Sequence, residues 1–86
     1  MQLRNRLIFV SLIEELGISE RELSRRANLS HSTVNHLMTG RRVSCSLTTA
    51  VAITRALGCP VATLFAADTR VEQAAIDRLA AKKNQQ

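Results

Sequence analysis

Residues 23–37 read Leu23-Ser24-Arg25-Arg26-Ala27-Asn28-Leu29-Ser30-His31-Ser32-Thr33-Val34-Asn35-His36-Leu37. Their order decides the fold. Leu23 and Ala27 stand four residues apart on one helical face, and Asn28 follows where the chain must turn, because asparagine tolerates the left-handed backbone better than other non-glycine residues. Ser30 is a helix cap. Beyond it, at 100° per residue, Val34 and Leu37 fall about 60° apart and point one way. Ser32, Asn35 and His36 lie around the opposite direction, with His31 and Thr33 on the shoulders. The pattern is two short helices and a tight turn, with a small residue, Ser24, letting the helices approach at a steep angle. The outward face of the second helix is polar but barely charged, where a plain solvated helix would carry Glu and Lys. It suits a surface that offers hydrogen-bonding groups to a polar partner, and a DNA major groove, ~12 Å wide, admits one such helix.

Upstream, Leu3, Leu7, Val10, Ile13 and either Leu12 or Leu16 recur at spacings of three and four, which predicts a first helix over residues 2–16, ended by Gly17. Ser19 and Glu22 have the spacing of a reciprocal capping box at the start of a second helix, about 20–27. Downstream, Gly40 closes the third helix and Arg41 and Arg42 follow at once. Ser46 caps a strongly apolar fourth helix carrying Leu47, Ala50, Val51, Ile53, Ala56 and Leu57, which is expected to form the centre of the domain. Gly58 ends it, and Pro60, placed at a first helical turn, opens a brief fifth helix with Val61, Leu64 and Phe65 behind it. Asp68 or Thr69 caps a last helix, roughly 70–82, and the polar tail from Lys82 to Gln86 is expected to fray. Val71, Ala75 and Leu79 share one side of that helix. They either pack on their own domain or form a contact between two copies of the chain, and the stripe is too short for an autonomous coiled coil.

The chain has 86 residues, enough for one small folding unit and too few for a multidomain enzyme. Phe9 and Phe65 are its only aromatic residues, so the core must be aliphatic, and a base-stacking platform for single strands is excluded. Twelve basic residues oppose seven acidic ones, for a net charge of +5. Ten of the twelve are arginine, the residue suited to bidentate phosphate and guanine contacts, so polyanions are the natural partner. No apolar run reaches the ~18 residues of a membrane span, and no secretory leader is visible, so the expected location is cytoplasmic. Cys45 and Cys59 belong to no C-x-x-C pair, and His31 and His36 lie about 140° apart around a helix, so neither a metal site nor a cofactor is expected. No third orienting residue or oxyanion motif accompanies a Cys/His pair, and Glu14 and Glu15 read as a solvated helix edge; no enzymatic activity is expected.

Over about residues 7–66 the chain resembles the lambda-repressor-like helix-turn-helix family, also called the Cro/repressor or XRE type. The resemblance rests on Ile18-Ser19-x-x-Glu22-Leu23-Ser24, the cap Ser30, Thr39-Gly40-Arg41, and the closing stretches Ala56-Leu57-Gly58-Cys59-Pro60-Val61 and Leu64-Phe65. It implies an all-α, five-helix domain over residues 1–67, followed here by a sixth helix and tail over 68–86. It also implies that the third helix reads double-stranded DNA, usually as a dimer, to regulate transcription, often in a phage or prophage. Carried over by position, His31, Ser32 and His36 would face bases, with Thr33 and Asn35 in support. Arg41 matches a phosphate-holding position and Arg42 adjoins it, while Ser19, Ser30 and Thr39 would meet the sugar-phosphate chain. Four positions depart from the family pattern. Ser24 and Asn28 replace a frequent alanine and glycine and are tolerable, and Met38 replaces a frequent glutamate and is expected to pack. Glu20 stands where glutamine is common; a carboxylate there would repel phosphate, so no phosphate contact is assigned to it.

The resulting expectation is a repressor or Cro-like regulator that occupies a pseudo-palindromic operator, with no small-molecule ligand. The alternative is a protein-interaction module, such as an antitoxin or assembly partner, on the same fold. Protonation of His31 or His36 would add attraction for DNA, so binding should tighten from about pH 7.5 to 6.

Overall fold

The computed structural model describes residues 1–84, with side chains through Leu79; helical backbone runs on through Asn84, past Lys82 where fraying was expected, and residues 85–86 of that tail lie outside the described residues. The elements run β1 (Gln2–Leu3), α1 (Arg6–Leu16), α2 (Glu20–Ala27), α3 (His31–Thr39), α4 (Leu47–Leu57), α5 (Val61–Leu64), β2 (Phe65–Ala66) and α6 (Arg70–Asn84). Among the described residues the architecture is all-α but for one small two-stranded antiparallel ladder, in which Gln2 faces Ala66 and Leu3 faces Phe65, and an isolated bridge between Gln2 and Ser44.

Local signals place most helix ends. Ser19, Ser30 and Ser46 each accept a hydrogen bond from the backbone amide three residues on. Asn28 adopts φ 56° and ends α2, its amide reaching Arg25 and Ser24 carbonyls. Gly40 holds φ 84° after α3, a conformation that would strain any residue with a Cβ. One expected detail differs. The Glu22 carboxylate does not reach back to Ser19; it pairs with Arg25 and, at 2.9 Å, with Arg26, because two guanidiniums one turn away outbid a single amide.

The N-terminus departs furthest from the sequence-based expectation. The first helix begins at Arg6, not at residue 2, with Asn5 as its cap. The preceding residues are extended: the Leu3 amide donates to the Val43 carbonyl at 2.7 Å, and the Arg4 amide donates to the Leu64 carbonyl at 2.7 Å. The buried face of α1 is Phe9 and Ile13. Leu7 is 67% exposed, contrary to the stripe assigned to it; of the two alternatives for its last member, Leu12 packs against the core and Leu16 is exposed. Leu7 and Phe9 are two residues, or about 200°, apart, so only one can face inward. The core takes the larger ring, which offers more area to remove from water.

Around Phe9, the core gathers Leu23 of α2, Val34 and Leu37 of α3, Ala50, Ile53 and Leu57 of α4, Val61 and Leu64 of α5, Phe65, and Ile76 of α6. The apolar fourth helix is thus central, as its composition implied. Two polar residues enter the interior with their hydroxyls satisfied: Ser24 donates to the Glu20 carbonyl and Thr54 to the Ala50 carbonyl. Pro60 precedes α5 as its cap residue rather than lying in its first turn. Thr69 caps α6, and the Glu72 carboxylate reaches the Asp68 amide, one residue beyond the cap.

Candidate nucleic-acid interface

Val34 and Leu37 are buried, and these two aliphatic pegs fix the rotation of α3 about its axis. With the pegs inward, Ser32 and Thr39 are exposed on the far side, and Thr33, Asn35 and His36 are half-buried on the flanks. His31 keeps 53% of its side chain exposed. Met38 packs at the edge of the core, as its apolar character suggested. Of the three residues expected to point outward, Ser32 is exposed while Asn35 and His36 are half-buried, and His31, expected on the shoulder, is exposed.

Its two flanks differ. On the side toward α2, the Glu20 carboxylate reaches across the turn: Oε2 lies 3.0 Å from His31 Nε2, and Asn35 Nδ2 donates at 3.2 Å to both carboxylate oxygens. His31 and Asn35, one helical turn apart, share one anchor on the neighbouring helix. Sequence reasoning treated Glu20 only as a deterrent to phosphate and missed this contact. A detectable signal existed: an acid at the first position of α2 opposite two hydrogen-bond donors on α3.

The C-terminal end of α3 is basic. Arg41 and Arg42 are exposed, with no side-chain partner among the described residues. The Arg42 amide donates to the His36 carbonyl at 3.0 Å, and just before the loop Arg6 Nη1 donates to the Met38 carbonyl at 3.3 Å. The loop beyond is stitched to the N-terminal segment through Val43 and through the Cys45 amide, which donates to the Met1 carbonyl. Two cations are therefore held beside the ridge on a tethered loop. Arg25 and Arg26 are different: they are paired with Glu22, whose carboxyl is held below its usual range first by the hydrogen bond from Arg26 and also by that from Arg25.

The cap residues have partly committed hydroxyls. Ser19 Oγ accepts from the Glu22 amide at 3.1 Å, Ser30 Oγ accepts from the Thr33 amide at 3.2 Å and shares a hydrogen bond with Thr33 Oγ1, and Thr39 Oγ1 donates to the Asn35 carbonyl. The first amides of α2 and α3 have no acceptor within their own helices, which is the geometry that binds anions. At the opposite end of the chain, Val71 is 78% exposed. Ala75 and Leu79 line a shallow groove with Leu47, Val51 and Ala52 of α4.

Burial pushes the Cys45 thiol up from its ordinary range, away from thiolate character. Among the described residues, no cluster of three or more His, Cys, Asp or Glu could hold a metal ion, and no helix is long and apolar enough to cross a membrane.

A capped two-helix unit joined by a tight turn, its second helix pegged by aliphatics, defines the helix-turn-helix class of DNA-binding proteins. The helix-turn-helix domain family matches residues 2–67, and the chain belongs to that family. Membership is consistent with the lambda-repressor-like resemblance and implies DNA binding; the family is typically non-enzymatic. No curated protein and no solved structure gives a significant match.

Proposed function

We propose that this protein is a sequence-specific regulator of transcription that binds double-stranded DNA through α3 and acts by occupying an operator, in the manner of a phage or prophage repressor or Cro protein. The observation that carries the reading is the polar face of α3, exposed at His31, Ser32 and Thr39, beside Arg41 and Arg42, whose side chains have no partner among the described residues. In this division of labour His31, Ser32, Thr33, Asn35 and His36 supply base-edge readout. Ser19, Ser30, Thr39, Arg41 and Arg42 position the sugar-phosphate chain. Residues 1–67 form the reading domain, and 68–86 form a C-terminal segment whose Val71, Ala75 and Leu79 join two copies. Such a dimer would set two third helices ~34 Å apart on one side of the duplex and require a pseudo-palindromic site. Its place of action is the bacterial cytoplasm, on the chromosome or on infecting DNA.

The test is selection of bound sequences from random duplexes, followed by titration of the winner against salt. A two-fold-symmetric consensus whose affinity falls steeply with ionic strength supports the reading. Absence of salt-sensitive binding to any duplex overturns it and favours the protein-interaction alternative.

A further inference from the structure

An ionised carboxylate has no proton to give, so every polar atom that faces it must be a donor. This rule fixes two side chains of α3. Asn35 must turn its Nδ2 toward Glu20, 3.2 Å from each oxygen, because flipping the amide would set its carbonyl oxygen against the carboxylate. His31 must carry a proton on Nε2, 3.0 Å from Glu20 Oε2. Asn35 Oδ1 and, in the neutral ring, His31 Nδ1 are then acceptors, and neither has a partner among the described residues. The anchor lies in the first turn of α2, where the helix dipole favours its negative charge.

Two acceptors therefore lie one turn apart on the α2-facing flank of α3. In the major groove, hydrogen-bond donors are the exocyclic amino groups, N6 of adenine and N4 of cytosine, whereas guanine and thymine present acceptors there. We propose that Glu20 is a specificity-determining residue: by turning the donor side of His31 and Asn35 toward itself, it makes this flank of α3 select amino-bearing bases and disfavour guanine and thymine. The inference rests on the DNA-reading proposal above and names the base chemistry of that site. A His31 ring released from that carboxylate can instead turn an N–H toward guanine, so the carboxylate sets the sense of the contact. Glu20 acts as a positioning residue and need not touch DNA.

The experiment is selection from a random duplex library with the full chain at about pH 8. Wild type, Glu20→Gln, Asn35→Ala and His31→Ala are compared. The two alanine variants map which base positions the flank contacts. Wild type is expected to enrich adenine or cytosine at both. Glu20→Gln, which has the same shape but can offer an N–H, frees Asn35 to reverse its amide and should reduce the amino-base preference about tenfold or more at those positions. Circular dichroism and the salt slope should stay unchanged, which separates a loss of selectivity from a loss of fold. Glu20→Gln also removes a negative charge near phosphate, so the deciding readout is the ratio among bases and not total affinity.

Guanine or thymine enriched opposite these residues, or a base ratio unaltered by Glu20→Gln, overturns the inference while leaving the regulator proposal standing. Absence of salt-dependent binding to any duplex removes both.

Discussion

The amine of Met1 lies 2.8 Å from Asp68 Oδ2 although 67 residues separate them, and 3.0 Å from Glu72 Oε2. The contact fastens the first strand to the start of α6. The Met1 side chain is itself part of the core, so the charge pair and the apolar burial act on the same residue.

This pair makes stability depend on pH at both ends of the range. The amine is raised above its ordinary 8.0, first by the hydrogen bond to Asp68, so its contribution is whole below pH 8 and lost as pH climbs through the raised value. Glu72 is lowered below its ordinary 4.5, first by the hydrogen bond from the amine, so its contribution is whole above pH 4.5 and lost as pH falls through the lowered value. Thermal melts of the chain beginning at Met1 should therefore lose stability in both directions outside pH 4.5–8. Asp68→Asn should flatten the alkaline decline. An unchanged alkaline limb would show that the amine is not paired.

Phe9→Ala should destabilise the fold by about 3–5 kcal/mol, since the ring is fully buried and leaves a cavity. Leu7→Ala should stay within about 0.5 kcal/mol. Urea unfolding of the two variants tests which face of α1 is inward, and the reverse ranking would restore the stripe drawn through Leu7.

Val34→Asp should prevent folding, because it sets an unpaired charge where the side chain has no exposure. A cooperative thermal transition retained in that variant would contradict the rotation of α3.

Reading and anchoring should separate in binding data. Ser32→Ala or His36→Ala is expected to relax preference at one base position by roughly 1–3 kcal/mol, whereas Arg41→Ala should weaken all duplexes about equally and lower the salt slope by about one. If Arg41→Ala instead altered base preference and the α3 variants did not, the assigned roles would have to be exchanged.

Dimer formation through α6 should be sensitive to its exposed edge. Sedimentation of wild type at micromolar concentration is expected to give a dimer and Val71→Glu a monomer of unchanged helicity. A wild-type monomer on an operator containing both half-sites would rule out α6 as the joining surface.

Most of the helix-turn-helix unit was legible in residues 19–40, because its determinants are local. Serine caps bind amides three residues away, Asn28 and Gly40 answer to their own backbone angles, and Val34 and Leu37 share a face through helical period alone. The fourth helix was legible for the same reason, being apolar over most of its turns. The start of α1 was not, since Leu3 fits a helical stripe and a strand equally well until Val43 and Phe65 are brought beside it.

The amino-acid order by itself thus determined where the helices of the helix-turn-helix unit begin and end and which side of α3 is polar, since those choices are settled within a turn or two of chain. Tertiary structure alone decided that Phe9 displaces Leu7 from the interior, that Met1 is clamped by Asp68 and Glu72, and that Glu20 grips His31 and Asn35. Each of these joins groups from different elements, and periodicity along one segment carries no information about what another segment will place against it.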